Sequence, residues 1–486
     1  MDNKLEKKYG LFTAICLVVG IVIGSGVFFK AQTILQKTNG DMPLGIAAWA
    51  IGGLIMIVCI LAFANMAQKY EKVNGVVDYA EALVGPKYGY YMGWFMTTIY
   101  YPSMTSVLAW LSARYTLVFI NSVNPDFTMI IPASEGGCII GPECMAMTMF
   151  FLCCAYTINA LSPKLAGKIQ TTTTVIKLIP LALMAVVGII YGLMNGMTAA
   201  NFTTMANVGD AASGNPLLAA VCATSFAYEG WIIATAINAE LKDSKKNLPR
   251  ALVIGGIIII AVYIAYYVGV AGGATNIVIA TYLLYYIGVT GGASNAELIE
   301  KGATVAFTNI FGNVIGNILN LFIAISCMGT MNGLMLGCCR GMYSVAARKE
   351  GPCPDVFSQV DKATNLPNNS AVLGLFVCAA WGLYFFLANL ANSPLVGKFV
   401  FDSSEIPIVT IYAMYLPIFV MWMKKAKDEN IGRRFIIPIL AFCGAAFMVY
   451  ACIIGHKFAN VYYLIVFAVI MAIGGIFRKN KKGAAV

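Results

Sequence analysis

Gly20-Ile21-Val22-Ile23-Gly24-Ser25-Gly26-Val27-Phe28 lies in the middle of an apolar run that extends from about residue 11 to residue 36. The run is long enough to cross a bilayer, because a hydrocarbon core of about 30 Å takes roughly 20 helical residues. Glycine costs about 1 kcal/mol in a helix interior, so Gly24-Ser25-Gly26 reads as a break in the span. A second apolar run, over residues 215–241, is interrupted by Tyr228-Glu229-Gly230. An ionised carboxylate at mid-membrane costs about 2.5–3.5 kcal/mol or more. The alternative reading of Gly24 and Gly26 is close helix packing of the small-xxx-small kind. Two interruptions in corresponding places favour breaks over packing.

Working outward, twelve stretches are long and apolar enough to span: about 11–36, 44–68, 88–120, 144–161, 165–194, 215–241, 250–273, 310–347, 370–389, 397–423, 435–455 and 459–477. The broken runs are the first and the sixth. Interruptions five spans apart suggest an inverted five-plus-five repeat with a site at the bilayer midplane. The expected fold is therefore an all-α polytopic membrane protein of twelve transmembrane helices. Helices one and six are broken, and two extra helices follow the repeat. Residues 1–10 form a tail, 11–194 the first repeat, 215–423 the second, 435–477 the two additional helices, and 478–486 a second tail. A further apolar run, Ile277 to Val289, reads as an outer-surface helix or an extension of the seventh span.

Composition agrees. Of 486 residues 59% are hydrophobic and 11% charged, against about 25% charged in soluble domains. The net charge of +10 does not indicate nucleic acid. Most of the Lys and Arg residues stand in the tails and in every second loop, as Lys4, Lys69, Lys87, Lys168, Lys242, Arg250, Arg348, Lys424, Arg434 and Lys479 do. That alternation is the positive-inside pattern, so both termini are expected in the cytoplasm and the chain in the cell membrane.

Broken helices expose backbone groups that intact helices pair internally. In lipid these are tolerated only around a cavity. The amides of Ser25, Gly26 and Val27 open the second half of span one. Free N–H groups at a positive dipole end suit a carboxylate. The carbonyls near Val22 and Ile23, and those near Phe226 and Ala227, suit an ammonium group. Together the poles match an α-amino acid. Lys177 is a further signal. It follows Lys168 by nine residues, about 13 Å at 1.5 Å per residue, which places it at mid-depth. It must pair with a carboxylate, carbonyls or water there, unless its stem snorkels to an interface. Burial of this amine would also suit proton-linked gating.

Three stretches resemble the amino acid–polyamine–organocation superfamily. The run from Gly20 to Phe28 is similar to its first-span signature. Ser225-Phe226-Ala227-Tyr228-Glu229-Gly230-Trp231, with Asn247-Leu248-Pro249-Arg250-Ala251 after it, is similar to its sixth span and following loop. Gly337 to Gly351 resembles the end of its eighth span. The resemblance implies a leucine-transporter-type fold and a sodium-independent amino acid permease or antiporter that works by alternating access. It assigns substrate binding to Ile23, Gly24, Ser25, Gly26, Val27, Phe226, Ala227, Tyr228, Glu229 and Gly230. Phe226 becomes an aromatic lid, and Lys177 takes the place of a sodium ion. Lys177, Phe226 and Glu229 would then serve gating or coupling.

Glu229 remains open between several roles. It would pair with Lys177, carry a proton, meet a cationic substrate, or pack between spans as a neutral acid. The competing function is accordingly a polyamine or cationic amino acid carrier with Glu229 as charge partner. No enzyme is expected, since one His, His456, and no buried carboxylate cluster offer no catalytic set. Phosphate-binding Gly-Lys-Ser/Thr loops are absent, so ATP is not the driver. Neither cofactor nor metal is expected, because Cys153-Cys154 and Cys338-Cys339 lack the spacing of zinc ligands. Cys138 and Cys144 share an outer loop that permits a disulfide. His456 reads as solvated, Asp402 as a surface partner of Lys398, Lys30 as an alternative outer-gate partner of Asp402 and Glu405, and Arg348, with Arg340, as part of an inner gate or, by default, an anchor for headgroups. A need for a partner subunit is left open.

Overall fold

The computed structural model describes residues 10–24, 26–70, 75–124, 142–194, 196–203, 215–272, 303–361, 366–388, 396–456 and 458–478. Ser25, Cys138, the Ile277–Val289 run and nearly all of both tails lie outside these residues. So does the question of a Cys138–Cys144 bond.

Among the described residues there is no strand element. Eleven helices are long and apolar enough to cross a membrane, and the pair Leu11–Val22 and Gly26–Lys37, bent by 44°, makes a twelfth crossing. The others, spans two to twelve, are Met42–Lys69, Pro86–Val123, Pro142–Leu161, Leu165–Met194, Pro216–Thr235, Ser244–Val270, Gly316–Ala346, Asn368–Ala388, Ile406–Lys425, Gly432–His456 and Ala459–Phe477. The chain is thus a polytopic all-α membrane protein.

Local sequence explains several boundaries. The Asp41 carboxylate accepts from the Leu44 amide at 2.9 Å, and Pro43 occupies the first turn of span two. Asn215 caps span six in the same way, accepting from the Leu217 amide at 3.0 Å. Span ten begins at Ile406, later than the expected 397. Lys398 and Asp402 therefore do not face each other on a helix. The Asp402 carboxylate instead accepts from the Ser404 amide at 2.7 Å and the Glu405 amide at 3.1 Å, just ahead of that helix.

Burial sorts the spans. In span six 83% of the apolar window is buried, against 11% in span twelve. Span six is central, and span twelve turns its apolar surface to lipid. Among the described residues three spans carry π-turns: Met96–Tyr100, Met184–Gly188 and Gly432–Ile436. Such bulges re-aim side chains and recur at functional sites. The first of them brings Tyr100 to the centre of the molecule.

Candidate functional site

Span one loses its helix after Val22. Ile23 is extended, at φ −72° and ψ 94°, and its amide closes the helix by donating to the Val19 carbonyl at 2.8 Å. Helix resumes at Gly26. Span six stops after Ala227, passes Gly230 at φ +105° and continues as a 3₁₀ helix over Trp231–Glu240. A positive φ of that size favours glycine. The two breaks lie against each other. A Cβ on Gly26 would fall 2.6 Å from the Ala227 Cα, and one on Gly230 would fall 2.9 Å from the Ile21 side chain.

The orphaned carbonyls are claimed from neighbouring spans. Lys177, fully buried on span five, donates from Nζ to the Gly20 and Ile23 carbonyls and approaches the Thr330 hydroxyl at 3.2 Å. The Tyr263 hydroxyl of span seven lies 3.0 Å from the Val22 carbonyl and 2.9 Å from the Ala227 carbonyl. The Ile23 carbonyl, and one of the Val22 and Ala227 carbonyls at a time, all expected to face an ammonium group, are thus engaged by the protein itself. Lys177 does not snorkel: it is 0% exposed, with its Nζ held by backbone carbonyls. Replacing Tyr263 with Phe leaves both carbonyls without that donor, at about 1–2 kcal/mol. We expect a five- to thirtyfold slower transport rate in proteoliposomes, with little change in helix content by circular dichroism.

Between the breaks lies a small, partly open cavity with free room for little more than a water molecule. Its floor is Ile21, Val22, Gly24 and Gly26; its apolar wall is Met104, Leu108 and Leu334; Phe226, Gly230 and Thr330 complete it. Glu229 and Tyr100 form its polar end. The Tyr100 hydroxyl donates to Glu229 Oε1, while Oε2 is buried; the Gly230 backbone and Tyr412 also approach the carboxylate. Lys177 and Glu229 keep separate partners and form no ion pair. Val27 is buried in the core, and the Tyr228 ring packs edge-on to Trp49, with its hydroxyl donating to the Trp49 carbonyl at 3.0 Å. Neither side chain lines the cavity. Tyr100, Met104, Tyr263 and Thr330 went unread in the sequence, because a Tyr or Thr in an apolar helix carries no mark of which face it occupies.

Two sets of ion pairs join the spans outside the cavity lining. On the side opposite the N-terminus, Lys30 pairs with Glu405, with both side chains 3% exposed, and the Lys30 ammonium lies 5.3 Å above the Phe226 ring. His456 is part of this cluster, 2.9 Å from Glu405 Oε2, and is not the solvated residue expected. On the N-terminal side Arg348 pairs with Asp78 and, at 3.1 Å, with Glu81. Both acids sit on the short helix Gly75–Leu83, so Arg348 has protein partners, which suit the inner-gate alternative and not the headgroup default. Arg348→Gln leaves the buried Asp78 without this charge partner. With Arg348 partly exposed, we expect a loss of about 1–3 kcal/mol, read as a lower midpoint of thermal unfolding in detergent.

The family model described as amino acid permease matches residues 9–476. The serine/threonine exchanger SteT of Bacillus subtilis is 30% identical over 454 residues, covering 92% of this chain and 91% of that protein. The b(0,+)-type amino acid transporter 1 of Mus musculus is 24% identical over 467 residues, covering 96% and 86%. The Asc-type amino acid transporter 1 of Homo sapiens is 23% identical over 455 residues, covering 91% and 77%.

Proposed function

The chain belongs to the amino acid permease family and transports amino acids, and from that premise we propose that it exchanges small neutral amino acids across the cell membrane, without sodium, by alternating access around the two breaks. The observation that carries this reading is the Lys177 ammonium on the Gly20 and Ile23 carbonyls, where a fixed charge already satisfies the break. A coupling cation has no carbonyls left to claim at that point.

The substrate carboxylate rests at the N-terminus of the Gly26–Lys37 half-helix, where amides and dipole favour an anion. Its ammonium takes carbonyls of Ile21 and Phe226, both of which line the cavity. Its side chain projects toward Met104, Leu108 and Leu334. The limited volume supports a small side chain, in keeping with the serine/threonine exchanger among the relatives. Phe226 serves as the lid. Lys30–Glu405 and Arg348–Asp78 act as gates that open in turn. Spans one to five and six to ten form the inverted halves, with spans eleven and twelve outside them. The basic loops set both termini in the cytoplasm.

Uptake of radiolabelled serine into proteoliposomes tests this. We expect uptake to rise several-fold with serine inside and to be unchanged when choline replaces sodium. Equal uptake without internal amino acid rejects exchange, and a sodium requirement rejects the role given to Lys177. A second reading draws on the buried Glu229 carboxylate at the cavity, which suits a cationic amino acid or a polyamine. Under that reading Glu229→Gln abolishes cation uptake. Under the main reading neutral uptake survives that change.

A further inference from the structure

The gate opposite the N-terminus holds side chains that no step of exchange draws on. Cys222 lies on the first half of span six, one turn before Phe226. Cys452 and His456 lie on span eleven, four residues apart and so on one helix face. Their thiol sulfurs and a ring nitrogen lie within 4.8 Å of one another. Cys222 and Cys452 are 1% and 2% exposed, whereas the His456 side chain, at 16%, leads to the surface. Glu405 holds the His456 ring at 2.9 Å.

We propose that Cys222, Cys452 and His456 form a site for a borderline-soft divalent cation, zinc or cadmium, whose binding locks this gate. The sequence pointed to no metal, because residues 222 and 452 have no motif in common. Two sulfurs and an imidazole nitrogen select zinc-like ions over magnesium or calcium, which take oxygen ligands. Zn–S of about 2.3 Å and Zn–N of about 2.0–2.1 Å in a tetrahedron set donors roughly 3.5–3.8 Å apart, a small contraction of the present cluster. On binding, each thiol forms a sulfur–metal bond and releases its proton to water, and His456 ligates through an unprotonated ring nitrogen, giving up to water any proton that nitrogen holds. Two thiolates neutralise the doubly charged ion, so the buried centre gains no net charge. The Glu405 carboxylate orients the imidazole, as carboxylates behind metal-bound histidines do, or takes the fourth position itself. The metal would tie broken span six to span eleven. Its effect on transport rests on the exchange reading above; the binding does not.

The test uses purified full-length protein. Cadmium titration, followed by thiolate-to-metal absorption in the ultraviolet, should saturate at one equivalent for this site. Cys222→Ser and Cys452→Ser should each remove that signal, and His456→Ala should weaken binding by more than about tenfold. The paired change Cys338→Ser with Cys378→Ser should leave it intact, although those sulfurs are 3.5 Å apart. Without any variant, zinc should shield Cys222 and Cys452 from alkylation, read by mass spectrometry. Zinc should also slow exchange, and a chelator should restore it. Unchanged cadmium absorption in Cys222→Ser, or no shielding of either thiol, overturns the site. Shielding with undiminished exchange overturns the lock. A chain that binds the metal as expected but exchanges no amino acid sinks the transport reading and supports the site.

Discussion

Lys177→Met should lower exchange by a hundredfold or more. Methionine keeps much of the stem volume but removes the ammonium that bridges the Gly20 and Ile23 carbonyls. Each buried acceptor left unpaired costs about 1–3 kcal/mol. Two of them together make about 3 kcal/mol a conservative figure, and 1.36 kcal/mol is tenfold in rate. The loss falls on the broken conformation, because a straightened span one would pair its own carbonyls. Lys177→Met should therefore fold, insert and elute as the parent does, yet bind serine poorly in a scintillation proximity assay. Sodium should not restore it, since the substitution supplies no oxygen ligands. Wild-type affinity in this variant would remove Lys177 from the mechanism.

Gly26→Ala should be nearly as damaging, for a steric reason. The added Cβ would sit 2.6 Å from the Ala227 Cα and 3.3 Å from its amide nitrogen. Backbone cannot rotate away, so the two half-helices must separate, at about 1–3 kcal/mol. That separation shifts the amides proposed to hold the carboxylate. We expect a ten- to hundredfold fall in serine affinity, together with a lower unfolding midpoint. Gly24→Ala is the comparison. Its nearest neighbour, at 2.8 Å, is the Thr330 hydroxyl, which can turn aside. Its effect should be several times smaller. Equal losses from both substitutions would mean that crowding in general, not the Gly26–Ala227 approach, limits the site.

Much of this architecture was readable in advance, and the reason is solvent. A bilayer forces every spanning segment to be long, apolar and internally hydrogen-bonded, so departures such as Gly24 to Gly26 and Tyr228 to Gly230 stand out. A lysine in an apolar helix stands out similarly, and the partners of Lys177 are the carbonyls of the first break. Errors arose where the partner lay far along the chain. His456 meets Glu405 and Arg348 meets Asp78 across separations that no local pattern encodes, and Lys30 with Glu405 was read only as an alternative.

Hydropathy, glycine placement and buried charge, being properties of single segments against lipid, were enough to establish a polytopic helical carrier with two interrupted crossings. Which donors reach the interrupted backbone was decided by packing alone. Tyr263, Tyr100 and Thr330 are ordinary residues until helix rotation and a π-turn aim them at the cavity. The same holds for Cys222, Cys452 and His456, whose meeting depends on how span eleven seats against span six.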